Sequence, residues 1–150
     1  MSTPLPKTSA RKAPENLAIL LREPFRKGSG VLHQRFAQRG HPDVRPPHGN
    51  VFQFLDDEGT RVQVLAERAG VTKQSMAELV SHLERHGYVE RVPDPADRRA
   101  KLVRATARGG EVYAVAREVV AELEAEWTEL LGEAKMRRLR GLLQELNAAI

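Results

Sequence analysis

A mainly α-helical fold carrying a single small β-hairpin is what this sequence predicts, and three observations lead there. Apolar residues recur at helical spacing over most of the chain. A pair of short helices, each stopped by glycine, sits near the centre. Directly after that pair, two strand-like runs flank a proline-stiffened turn in RVPDPADRRAKLVRAT, residues 91–106. Together these describe a helix-turn-helix followed by a wing, with long helices before and after it.

Taken in order, residues 1–13 read as a disordered tail, rich in proline and small polar residues. Residues 14–150 then form one domain, since the chain is too short for a second independent core. A helix from Glu15 to about Arg39 is marked by Leu17, Leu20, Leu21, Phe25, Leu32 and Phe36, and Gly40 closes it. Pro24 and the Gly28-Ser29-Gly30 stretch predict that it is kinked or in two pieces. The run HPDVRPPH, 41–48, reads as a linker because paired prolines disfavour helix. A short helix is expected from Gly49 to about Asp57, with Val51, Phe52 and Leu55 on one face.

The central pair is better signalled. Leu65, Ala66 and Ala69 make a short helix that Gly70 stops. Thr72 is a good N-cap for the next, because its hydroxyl can accept from an otherwise unpaired backbone N–H. In that second helix Met76, Leu79, Val80 and Leu83 fall at i, i+3, i+4 and i+7 as one buried stripe, and Gly87 ends it. Its other face carries Lys73, Gln74, Ser75, Glu78, Ser81, His82 and Arg85. Tyr88–Val92 and Ala100–Ala105 are the expected strands. After a second threonine cap at Thr106, one helix spans about 107–131 with Val112, Val115, Val119, Leu123, Trp127 and Leu130 along one side. Beyond Gly132 a last helix repeats Met136, Leu139, Leu143, Leu146 and Ile150 in near-heptad rhythm.

Composition narrows the function. There are no cysteines, which removes disulfides, thiolate metal sites and thiol redox chemistry. The N-terminus carries no apolar segment and no long apolar run follows it, so the expected location is the cytoplasm, away from the membrane. Net charge is +4, unevenly spread: residues 60–108 hold ten Lys/Arg against six Asp/Glu, whereas 109–150 hold five against eight. A basic middle suits a phosphate backbone, which rewards each neutralised charge by releasing counterions.

The polar face of the second central helix has the right chemistry for base edges. Gln74 can pair bidentately with adenine, Lys73 can meet guanine or phosphate, and Ser75 is short enough for close approach. The N-terminal end of the helix dipole favours phosphate nearby. Glu78 repels phosphate, and either accepts from a cytosine amine or discourages wrong sites. Arg98 and Arg99, lifted on the stiffened turn, can reach a minor groove. Pairing with Asp94 and Asp97 is expected to hold one of these arginines and leave the other free.

The stretch VLAERAGVTKQSMAELVSHLERHGYVERVPDPADRRAKLVRATARG resembles the winged-helix core of the MarR family of bacterial transcription regulators, most specifically in DPADRRAKLVRAT following LERHGYVER. The resemblance is strong over about residues 60–110, and outside them rests on helix order. It implies a homodimeric, sequence-specific DNA-binding regulator on a pseudo-palindromic double-stranded DNA operator, typically a repressor released by a small phenolic or otherwise amphipathic effector. Thr72, Lys73, Gln74, Ser75 and Glu78 then fall at the DNA-facing start of the recognition helix, with His82 further along. Asp97 and Arg99 match the family's Asp-x-Arg wing signature, in which the aspartate orients the arginine, and Arg98 is a second cation beside it. Ala105 stands where the family commonly has leucine, which predicts looser packing at the base of the long helix. Lack of cysteine sets the chain apart from members that sense peroxide through a thiol.

The apolar stripes at 112–130 and 136–150 exceed what a winged-helix core can cover, so 14–39 and 107–150 are expected to be dimerisation helices around the 60–106 core. An effector cleft is expected where Phe25, His33, Phe36, Phe52 and Phe54 gather, with His33 or Arg22 as a polar handle. The five histidines show no tight ligand set, so no metal and no cofactor is expected. No nucleophile–base pair, phosphate loop or paired carboxylates suggests an enzyme. The alternative to a DNA reader is a winged-helix protein-interaction module without DNA binding.

Overall fold

The computed structural model describes residues 15–150; the tail expected over 1–13 lies outside the described residues. The chain runs through α1 (Leu17–Gln38), a 3-10 turn (Pro46–His48), α2 (Gly49–Phe52), α3 (Val62–Ala69), α4 (Lys73–Arg85), β1 (Val89–Asp94), β2 (Asp97–Ala105), α5 (Ala107–Leu131) and α6 (Glu133–Ala149).

α1 is a single continuous helix, not the two-piece element expected from Pro24 and Gly28-Ser29-Gly30. The Oδ1 of Asn16 caps it by accepting from the Ile19 N–H at 3.1 Å. Gly28 stays helical for a packing reason: it is buried, and a Cβ there would lie 3.5 Å from the Trp127 ring and 3.6 Å from Leu123 of α5. The glycine is therefore a contact surface, not a break. Arg35 and Arg39 on α1 reach Glu122 and Glu118 on α5 at 2.9 and 2.8 Å. These two partly exposed pairs set the alignment of the helices more than their stability.

The expected linker at 41–48 is partly ordered as helix. Pro46 opens the 3-10 turn, where a missing N–H costs nothing, and the turn passes directly into α2. α2 is correspondingly shorter than expected, stopping at Phe52.

The helix-turn-helix forms as its sequence signals require. α3 ends on Gly70 in the left-handed region, φ 66° and ψ 31°, a conformation costly for any residue with a Cβ. α4 begins at the Thr72 cap and buries Met76, Val80 and Leu83 completely. These three, with Leu65, Val51 and Val103, are the centre of the core. Leu79 is only partly buried against it.

The hairpin is longer than expected. β1 and β2 pair antiparallel from Val89↔Ala105 out to Asp94↔Asp97, so most of the proline knot is strand and only Pro95 and Ala96 turn. Thr60 bridges the free edge of β2, exchanging backbone bonds of 2.8 and 2.9 Å with Val103.

The wing and α5 meet closely. Thr106 donates through Oγ1 to the Gly87 carbonyl at 2.5 Å and accepts from the Gly109 N–H at 3.2 Å. A Cβ at Gly109 would lie only 2.3 Å from the Tyr88 carbonyl oxygen and 3.2 Å from Ala105. The junction expected to be loose at Ala105 is thus held by the threonine cap and the close approach at Gly109. α5 buries Val112, Val115 and Val119 early. Later it exposes Leu130, 82% accessible, and α6 contains no buried residue at all.

Candidate nucleic-acid interface and effector cavity

The first turns of α4 present a continuous polar surface. Thr72, Lys73, Gln74, Ser75 and Glu78 are all exposed. The Thr72 hydroxyl accepts from the Ser75 N–H at 3.1 Å and donates to Ser75 Oγ at 2.9 Å. Ser75 Oγ therefore keeps its own proton for an outside acceptor. Capping thus fixes both the start of the helix and the orientation of the serine on its outer face.

His82 does not extend this row. It is half-buried, its Nε2 donates to the Asp43 carbonyl at 3.0 Å, and its ring stacks on His48 at 4.5 Å. His86 lies 4.4 Å away on the other side, and its Nδ1 donates to the His82 carbonyl at 2.8 Å. His48 in turn accepts through Nδ1 from the Arg45 N–H at 2.8 Å, which requires an unprotonated nitrogen. Burial, followed by the fields of His82 and Arg45, pulls the pKa of His48 down to about 4. The three rings fasten α4 to the segment before α2. Their stacked geometry is that of packing groups, and among the described residues no set of three His, Cys, Asp or Glu is placed to hold a metal.

The wing tip is built by two aspartates with different jobs. Asp97 accepts from the Arg99 N–H at 3.0 Å through Oδ1, and the same oxygen sits 3.8 Å from Arg99 Nε. That contact leaves the Arg99 side chain 95% accessible. Arg98 is exposed and makes no ion pair among the described residues. Asp94 turns away from both arginines. It is buried, accepts from the Ala96 N–H at 2.9 Å, and takes Arg61 Nε at 2.7 Å. The backbone donor and the Arg61 guanidinium hold its carboxyl below the usual range. The expectation that Asp94 would neutralise a wing arginine is therefore corrected: it ties the hairpin to the start of α3, while Asp97 pairs loosely with Arg99 and Arg98 has no ion pair among the described residues. Arg61 carried no sequence signal for this role, since its partner lies 33 residues away.

An apolar cavity of about 510 Å³ opens between α1, α5 and the segment around α2. Phe25, His33, Phe36 and Phe52 line it, as expected. Arg22 does not; it is exposed and reaches Glu23 at 3.2 Å. Phe54 packs against the core instead. α5's share of the wall is not legible in the sequence: Leu123 and Trp127 fall in the stripe expected at a dimer interface, and Tyr113 lies outside that stripe. Tyr113 donates to the Phe52 carbonyl at 2.6 Å, and burial, with the charge of Asp57, pushes its pKa up to about 12.

A capped helix with an exposed polar start, joined through a tight turn to a hairpin that lifts exposed arginines, defines the class: this is a winged helix-turn-helix protein built to read DNA. The sequence profile described as the MarR family matches residues 43–100. The transcriptional regulator HosA of Escherichia coli is 32% identical over 119 residues, spanning 77% of this chain and 82% of HosA. The chain belongs to the MarR family of transcription regulators. CouR from Rhodococcus jostii RHA1, solved bound to p-coumaroyl-CoA, superposes with a TM-score of 0.67 at 25% identity, covering 88% of this chain and 92% of CouR. S. aureus MepR, solved as a DNA complex, gives a TM-score of 0.71 at 18% identity, covering 91% and 99%; that likeness is one of fold. No helix among the described residues is long and apolar enough to cross a membrane.

Proposed function

We propose that this regulator acts as a cytoplasmic homodimeric repressor in a bacterium, holding a pseudo-palindromic operator and releasing it when a small molecule fills the cavity between α1 and α5. The observation that carries the DNA half of this reading is the pairing of an exposed, capped α4 start with solvent-exposed Arg98 and Arg99 at the wing tip. In it, Lys73, Gln74, Ser75 and Glu78 face the major groove, and Arg99, steadied by Asp97, enters the minor groove with Arg98 beside it. His82 acts from behind, fixing α4 through Asp43 and His48.

Residues 60–106 serve as the reading unit in this division of labour, and α1, α5 and α6 as the dimer-forming part. Support comes from the leucines left exposed at that end: Leu17, Leu20 and Leu21 on α1, Leu130 on α5, and Leu139, Leu142 and Leu146 on α6. A second copy covering them sets two α4 helices about one DNA turn apart. Because the cavity lies between α1 and α5, an occupant preferring one separation of the reading units shifts the population towards it. CouR, solved with p-coumaroyl-CoA, and MepR, solved on DNA, share this fold, and their structures support the two parts of the reading.

Selection from a random DNA pool at near-physiological salt tests the reading. An enriched inverted repeat with half-sites about 10 bp apart is expected. No enrichment by folded, dimeric protein free of small molecules would refute it and favour a protein-binding module.

A further inference from the structure

The chemistry of the cavity wall points to a definite kind of effector, and it does so only if the cavity is the effector site proposed above. Five aromatic rings line it: Phe25, Phe36, Phe52, Tyr113 and Trp127. Their faces carry negative quadrupole and attract a cation placed over them. Two polar groups in the wall have committed their donors. Tyr113 gives its proton to the Phe52 carbonyl at 2.6 Å. His33 Nδ1 lies 2.6 Å from the Ser29 carbonyl, which can only accept; the N–H is therefore on Nδ1, and a neutral ring offers Nε2 as an acceptor.

Formal charge points the same way. The single ionised side chain among the described lining residues is Glu124, and no lysine or arginine lines the cavity. Arg22, the cation that an acidic effector would need, is engaged with Glu23 outside it. Glu124 Oε2 is held by Arg140 of α6 at 2.9 Å in a partly exposed pair, and Oε1 makes no hydrogen bond among the described residues. A carboxylate entering this space would lose its hydration and meet a like charge, with no lysine or arginine in the wall to offset either cost. An aromatic cation would meet ring faces and a counter-charge.

We propose that the cavity binds a bulky aromatic cation, with the rings of Phe25, Phe36, Phe52 and Trp127 enclosing its apolar part and Glu124 facing its charge. Arg140 competes for the same carboxylate, so the ligand displaces an ion pair between α5 and α6. That exchange couples occupancy to the position of α6.

Two probes of the same shape and opposite charge, tetraphenylphosphonium and tetraphenylborate, test this on the full chain. Trp127 is the protein's single tryptophan and lies in the wall, so its emission reports occupancy directly. The phosphonium is expected to bind about tenfold tighter than the borate or more. Glu124→Gln should remove most of that preference, and Arg140→Ala should strengthen phosphonium binding by freeing the carboxylate. The second variant keeps the test decisive if the first folds poorly. Borate binding as tightly as phosphonium, or no change in Trp127 emission with either, would overturn the proposal. DNA retention is read in the same titration. Phosphonium that binds without loosening DNA upholds the ligand class and refutes the effector role. Borate that binds better and releases DNA does the reverse.

Discussion

The middle and the C-terminal end of this chain solve the burial problem differently. Around α3, α4 and the hairpin, Leu65, Met76, Val80, Leu83, Tyr88 and Val103 are fully buried within one chain. At the other end α6 buries nothing, and Ile150 is 91% accessible. The first region shares one core within the chain with α2, the start of α5 and Phe36 of α1; the second presents leucines at helical spacing that water should not face in such number. On the proposed reading, helices whose exposed leucines are covered by a second copy would let the spacing of two readers change without remodelling either one.

Removing residues 136–150 should break this contrast most severely. A truncated chain is expected to lose its dimer and, with it, the gain from binding two half-sites, a fall of about 100-fold or more in operator affinity. Sedimentation and a DNA titration check both. The helix-turn-helix should survive, visible as a retained cooperative unfolding transition.

Substitutions inside the self-sufficient region should act on stability instead. Leu83→Ala is expected to cost about 3 kcal/mol in denaturant unfolding, from lost burial and the cavity left behind. Gly109→Ala should cost about 2 kcal/mol or more, because its Cβ would meet the Tyr88 carbonyl at 2.3 Å and that backbone cannot swing aside. Leu130→Ala, at the exposed end, should leave the unfolding of a dilute monomer nearly unchanged and weaken only association.

At the wing, Arg99→Ala should weaken specific DNA binding about tenfold with no loss of stability, as its side chain packs on nothing. An unchanged affinity would remove the wing from DNA recognition. The smallest effect concerns pH. His48 has its pKa lowered from 6.5 to about 4 in the folded chain, so the unfolded chain takes up a proton that the folded one refuses. Its contribution to stability is full above about pH 6.5 and declines as pH falls towards about 4. His48→Gln should flatten that part of the stability profile.

How much was legible follows from how local each signal is. α4 and α5 were readable nearly to the residue, because Thr72 and Thr106 cap them and the apolar period is clean. α1 was not: Pro24 and Gly28 are breakers by propensity, and only the Trp127 ring, 99 positions on, shows why a glycine belongs in that helix. The paired prolines at 46 and 47 were read as an irregular linker although they open a short helical turn. Of the residues proposed to face DNA, the exposed row and the Asp97–Arg99 contact follow from local pattern. That His82 is half-buried against Asp43 and His48 is not legible locally, because those partners come from another segment. Asp94 was given to the wrong arginine for the same reason. Four of the six residues expected at the cavity line it, and the wall supplied by α5 is not legible because a stripe of apolar residues reads alike whether it meets core, partner or ligand.

The most direct measurement is the mass of the intact chain in solution, by sedimentation equilibrium at the concentration where it saturates its selected DNA. A mass of twice the 16.8 kDa chain, carried unchanged onto one duplex, is the result expected if α1, α5 and α6 are completed by a second copy. A single chain holding the DNA at full affinity would contradict the division between a self-sufficient reader and a partner-dependent end.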